Sequence, residues 1–215
     1  LRKRSNPKSG TTLERRSGFS GKVIAVDVER VELPNRAIAE LEIIRHPGGA
    51  AVVAVNAKRE VCLLRQYRHA LAGWLWELPA GKLDGREKPL RAARRELEEE
   101  AGVTAARWTA LGEFVSSPGV FTEVVHLFLA TGLDLTQARP EAGEVFELRW
   151  VPLARALAFS ENGTIVDGKT VVGLMRAAAR LPAIKATLHR SQGRDRPPRD
   201  SGQAQSRLKS KRRKS

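Results

Sequence analysis

Apolar and polar residues alternate along residues 22–33 (KVIAVDVERVEL), the period of a half-buried strand, and again along 37–45 (AIAELEIIR). Pro34-Asn35 between them reads as a turn, so the two runs predict a hairpin. His46-Pro47-Gly48-Gly49 interrupts the pattern. Two further runs follow, AAVVAV at 50–55 and VCLLRQY at 61–67, and predict buried strands joined by the polar turn Asn56–Glu60. A loop carrying Trp74 and Trp76 leads into ELPAG at 77–81. From Pro89 to Ala101 the apolar spacing changes to three and four. Leu90, Ala93, Leu97 and Ala101 predict the buried stripe of a helix, with Pro at its start and Gly102 just past its end. Further strands are predicted at 107–116, 123–131 and 145–151, and helices at 153–159 and 169–180. Interleaved strands and helices predict an α/β fold, a mixed sheet covered by helices on both faces, with an N-terminal antiparallel element in front of it.

Composition supports one globular domain: 41% apolar and 29% charged residues in a chain of 215. The net charge of +14 would point to nucleic acid if it were spread over the fold. It is not. Residues 1–18 hold six Lys/Arg and one Glu, and residues 185–215 hold eleven Lys/Arg and two Asp. Residues 19–184 carry 21 basic and 21 acidic residues and are neutral overall. Both basic ends are too polar to fold, so the expected organisation is a disordered N-terminus at 1–18, the hairpin at 19–48, the main domain at 49–184 and a disordered tail at 185–215. A solvated tail is the first expectation for 185–215, and weak contact with RNA or another polyanion the second. Cys62 stands alone, so no intrachain disulfide is expected. No apolar run reaches the roughly 20 residues that span a bilayer. LRKRSNPKSG has no apolar stretch after it, so a secretory signal is not expected and the cytoplasm is. The missing initiator Met points to an alternative start codon or a trimmed chain.

Candidate chemistry sits on the predicted helix. At 100° per residue, Glu96, Glu99 and Glu100 fall within about 100° of one another, away from the apolar stripe. Three carboxylates this close repel each other unless a cation lies between them, and a hard divalent ion with oxygen ligands suits the need. Arg95 can hold one of them by an ion pair. Three glutamates alone would sooner describe a solvated acidic face. The flanking residues decide the matter, because Gly81, Glu87, Arg95, Glu96, Leu97, Glu99, Glu100, Gly102 and Val103 fill every specified position of a GX5EX7REUXEEXGU pattern. A chance match is rarer than about one in a hundred million per start position.

This pattern is the Nudix box, and the chain resembles the Nudix hydrolase family. The resemblance implies an α/β/α sandwich and hydrolysis of a nucleoside diphosphate linked to another group, with Mg2+ or Mn2+. By motif position it implies Glu96 and Glu100 as principal metal ligands, Glu99 as ligand to a further ion, and the Ala80 backbone carbonyl as a ligand. Gly81, Glu87, Arg95 and Gly102 take structural roles, Glu87 shaping the loop. The run LLRQYRHALAGWLWELPAGKLDG and the later SPG resemble the ADP-ribose pyrophosphatase branch, over roughly residues 20–180. Pro118 lies fifteen residues past Val103, where that branch has a proline.

The branch implies several further features. The substrate would be ADP-ribose, cleaved to AMP and ribose 5-phosphate. The N-terminal sheet would be exchanged between the subunits of a homodimer and help hold the adenine. Arg68 would contact substrate, and a guanidinium fork suits diphosphate oxygens. Glu77 would either hold the loop or bind substrate, and Pro118 and Gly119 would lie at the substrate. Trp74 and Trp76 could stack on a base or fill core; His46 and His69 read as structural. The general base would lie in QARPEAGEVFELRWVPL, where Glu144 is the first candidate and Glu147 and Glu141 are alternatives. Two other readings stay open: another nucleotide sugar such as GDP-mannose or ADP-glucose, and an RNA-associated or ligand-sensing module that uses the basic tail.

Overall fold

A strand that is apolar at every position needs cover on both faces, and the AAVVAV run has it. In the computed structural model, which describes residues 9–140 and 143–181, β4 (Gly49–Ala54) is buried throughout. Ala50, Val52 and Ala54 pack with Ala92, Ala93 and Leu97 of helix α1 (Pro89–Ala101). Ala51 and Val53 face the other way, into a cluster with Leu174 and Ala177 of helix α3 (Gly168–Arg180). Around β4 stands a mixed sheet of order β7-β4-β9-β8, with β7 at Ala80–Lys82, β8 at Val103–Val115 and β9 at Val124–Leu135. The β4–β9 pairing is parallel and the others are antiparallel. A second, antiparallel sheet has the order β10-β5-β6, from β5 (Glu60–Arg68), β6 (Gly73–Glu77) and β10 (Phe146–Pro152). Helix α2 (Leu153–Glu161) packs on α3, β5 and β10. The α/β architecture with helices on both faces is therefore as expected.

Three details differ from expectation, although the strands at 50–55 and 61–67 are largely buried and joined by the turn Asn56–Glu60 as expected. They belong to different sheets and are linked by a Val55–Val61 bridge, where Asn56 caps the turn by accepting from the Glu60 N–H at 2.9 Å. The loop carrying Trp74 and Trp76 is mostly strand β6, a state set by its pairing with β5. On α1, Leu90 sits in the first turn and is only half-buried, while Ala92 is fully buried.

The third difference concerns the N-terminus. The expected hairpin exists as β2 (Ala25–Glu32) and β3 (Ile38–Arg45), but a further strand, β1 (Thr11–Ser20), pairs antiparallel with β2. Residues 11–18 are thus ordered strand, not disordered terminus. Every residue of β1 is exposed, so no hydrophobic alternation advertises it. The backbone ladder holds it, together with a charged cluster in which the buried Glu29 accepts from Arg15 at 2.7 Å and from Arg45. Residues 1–8, the basic tail at 185–215 and Glu141 lie outside the described residues. No helix among the described residues is long and apolar enough to cross a membrane.

Candidate active site

The site is assembled where β7 passes the middle of α1. Gly81 is required there by a close approach. A Cβ at this position would lie 1.9 Å from Glu96 Oε1, so the carboxylate occupies the space a side chain would take. One residue earlier, the Ala80 N–H donates to Glu100 Oε2 at 2.8 Å, which puts the Ala80 peptide beside the same carboxylates. Arg95 organises the rest. Its Nη1 lies 2.7 Å from Glu96 and 3.0 Å from Glu99, and its Nη2 reaches Glu87 and the Lys82 carbonyl, each at 3.2 Å. Glu87 also accepts from the Asp84 N–H, at 3.4 Å. Glu87 and Arg95 therefore fold the loop after β7 back against the helix. Gly102 ends the helix with φ +60° and donates to the carbonyls of Glu98 and Leu97, as a left-handed C-cap does.

The electrostatics of this corner are lopsided. Burial pushes the Glu100 carboxyl up to about 9; the Ala80 hydrogen bond opposes this, while the charges of Glu96 and Glu144 add to it. Burial also raises Glu96, against the pull of Arg95 and with help from Glu99 and Glu144. Among the described residues no three acidic, His or Cys side chains already stand at metal-ligand spacing, and Glu99 is drawn toward Arg95. The donor chemistry nevertheless fits a hard divalent cation. Two buried carboxylates stand beside a half-exposed third, and the Ala80 peptide lies against Glu100.

Opposite in character is the corner built by the ends of β5 and β6. Glu77 is buried, and Arg68 clamps it with two hydrogen bonds, Nε to Oε1 at 2.7 Å and Nη2 to Oε2 at 2.8 Å. Lys169 reaches Glu77 Oε2 at 2.5 Å from the N-terminus of α3. Burial alone would raise Glu77; the bonds from Arg68 and Lys169 outweigh it and hold the carboxyl down at about 2. Glu77 is thus a permanent anion that fixes its loop.

Both corners open into one cleft of about 540 Å³. Arg68, Ala80, Gly81, Arg95, Glu96, Glu99 and Glu144 line it. Glu100 lies buried just behind Ala80, and Glu77 behind Arg68. Pro118 and Gly119 are in an exposed turn after β8 and do not line the cleft; Ser116 of the same connection does. Glu144 is half-buried at the cleft, whereas Glu147 lies in β10, exposed and paired with Arg149 at 2.8 Å. Trp76 packs against the core under the Arg65 guanidinium, and exposed Trp74 meets the Tyr67 ring edge-on; neither lines the cleft. His46 does line it, with its Nδ1 accepting from the Gly48 N–H at 3.1 Å and lying 3.5 Å from Glu123. Sequence reasoning missed Gln66, Glu123, Asp167 and Lys169 in the lining. The only available signal was Asp167-Gly-Lys-Thr170, an N-cap pattern, and Asp167 does cap α3 by accepting from the Thr170 N–H at 3.0 Å.

Residues 45–170 match the NUDIX domain profile. The chain belongs to the Nudix family. Among curated relatives, an ADP-ribose pyrophosphatase of Bacillus subtilis (strain 168) is 41% identical, over 76% of this chain and 89% of its own length. An ADP-ribose pyrophosphatase of Mycobacterium tuberculosis (strain ATCC 25618 / H37Rv) is 34% identical, over 78% and 83%. A GDP-mannose pyrophosphatase of Escherichia coli O1:K1 / APEC is 36% identical, over 61% and 77%. In three dimensions the Nudix chain superposes on a crystal structure of an ADP compounds hydrolase with a TM-score of 0.71 and 22% identity, covering 82% of this chain and 96% of that one. At that identity the likeness speaks for the fold.

Proposed function

We propose that this protein hydrolyses ADP-ribose to AMP and ribose 5-phosphate with Mg2+ or Mn2+. The observation that carries the reading is the union, in one cleft, of a cation-seeking acidic wall on α1 and a guanidinium donor at the end of β5. The ADP-ribose pyrophosphatase relatives support the choice of substrate.

Glu96 and Glu100, with Glu99 and the Ala80 carbonyl, would hold the divalent ions. When bound, such ions neutralise diphosphate charge and make the attacking water more acidic. Arg68 binds the diphosphate. Its Nε and Nη2 are committed to Glu77, which leaves Nη1 as the edge for a phosphate oxygen. Glu144 takes a proton from water as the water oxygen bonds to phosphorus and the bridging P–O bond breaks. Arg95 and Glu87 touch no substrate; they hold the loop and helix in register.

The N-terminal sheet β1-β2-β3 exposes Leu13, Phe19, Val23, Ile38 and Leu41 on and beside its strands. We read it as the contact of a homodimer whose partner completes the nucleoside end of the cleft, where Val23 and His46 already stand. A second substrate reading, GDP-mannose, has the support of the relatives 36% identical to this chain. Product analysis tests the proposal: with Mg2+, ADP-ribose should give AMP and ribose 5-phosphate in equal amounts, and absence of both products would reject it.

A further inference from the structure

The cation at the N-terminus of α3 belongs to no motif in the sequence, yet it is built into the site. Lys169 Nζ lies 2.5 Å from Glu77 and 3.0 Å from Asp167, and its side chain is 17% exposed. Asp167 is itself held by the Thr170 N–H at 3.0 Å and the Thr170 hydroxyl at 2.5 Å. That hydroxyl accepts in turn from the Leu78 N–H at 2.9 Å. An unbroken chain of hydrogen bonds therefore runs from the start of α3 to the segment 77–80, which carries the Ala80 peptide, and ends on Arg68.

Lys169 acts on this chain through geometry, because its charge is already balanced by Asp167 at 3.0 Å. Glu77 Oε2 is shared between Arg68 Nη2 and Lys169, so the carboxylate cannot rotate without breaking one bond, and the Arg68 fork is held with it.

We propose that Lys169 is a positioning residue for diphosphate binding, fixing Glu77 so that the Arg68 fork is held toward the substrate. The proposal rests on the diphosphate-hydrolase reading above.

Steady-state kinetics of the full chain with ADP-ribose and Mg2+ test it, using wild type, K169M, K169R, R68A and the K169M/R68A double variant. K169M keeps the length of the stem without the charge, and should raise KM about tenfold while kcat changes less than about threefold. K169R restores a cation and should return KM toward wild type. In the R68A background, K169M should add less than about threefold, because the residue it positions is gone. An unchanged KM in K169M overturns the proposal, as does the full tenfold effect persisting without Arg68. A K169M that binds normally while K169R fails would mean that Lys169 only fills space, and a K169M that does not fold would mean that it only holds the fold. Should the wild type ignore ADP-ribose but cleave another nucleotide sugar, the substrate assignment fails alone, and the same variants on that sugar still decide the role of Lys169.

Discussion

Glu100→Gln separates the cost of the acidic wall from its use. Glu100 is 2% exposed, and burial pushes its carboxyl from an ordinary 4.5 up to about 9. The folded protein thus keeps a proton that the unfolded chain releases, so metal-free stability falls as pH rises from 4.5 toward 9 and bears no such penalty below 4.5. Each pH unit in that window costs about 1.4 kcal/mol, or about 4 kcal/mol at pH 7.5. Glutamine removes the titration and still accepts from the Ala80 N–H, but buries an amide whose donors lack partners, at about 2 kcal/mol. In EDTA at pH 7.5 the variant should therefore be more stable by about 2 kcal/mol, an upward shift in Tm of roughly 4–8 °C for a domain of this size. At pH 5 the order should reverse, because little of the carboxylate penalty remains there. Adding saturating Mg2+ should raise the Tm of wild type and leave the variant nearly unmoved, since an ion stabilises only a native state that binds it. Thermal melts by circular dichroism from pH 5 to 8.5, with EDTA and with Mg2+, measure all of this. A variant that melts below wild type at every pH in EDTA would mean that burying the Glu100 carboxylate carries no such penalty.

Gly81→Ala should leave Tm within a few degrees, because the clash at 1.9 Å is with the far end of the Glu96 side chain and not with backbone, yet it should weaken Mg2+ activation at least tenfold as that carboxylate is pushed aside; metal titrations of activity check it. Glu77 has a depressed pKa near 2, so its contribution of about 3 kcal/mol is complete above pH 4.5 and is lost as pH falls toward 2. Acid unfolding monitored by fluorescence should accordingly be steeper over that window in wild type than in Glu77→Gln. Glu144→Gln should lower kcat by about 10²-fold or more with Mg2+ affinity retained, while Glu147→Gln stays within twofold of wild type; equal losses in the two would remove Glu144 from its role.

Legibility in the sequence followed burial and locality. Helix α1 could be read because its stripe, its Pro89 start and its Gly102 cap are all local signals. β4 could be read because cover on both faces demands an unbroken apolar run. β1 could not, since a strand exposed at all ten positions leaves no periodic trace. Similarly, β6 has no alternation long enough to stand out and is defined by its partner β5. In the site, the motif marked the acidic wall but could not say why residue 81 is glycine, which depends on where the Glu96 carboxylate comes to rest. Lys169 meets Glu77 across 92 residues of chain, a distance at which no spacing rule operates. Glu144 and Glu147 look alike in sequence; three residues separate a half-buried position on the cleft from an exposed one paired to Arg149.

Cleavage of ADP-ribose at its diphosphate in this cleft is tested by kcat/KM measured side by side for ADP-ribose and GDP-mannose with Mg2+. ADP-ribose should be preferred at least tenfold, with AMP and ribose 5-phosphate as products and no turnover in Glu100→Gln. Faster turnover of GDP-mannose, or metal-dependent activity surviving in that variant, would contradict it.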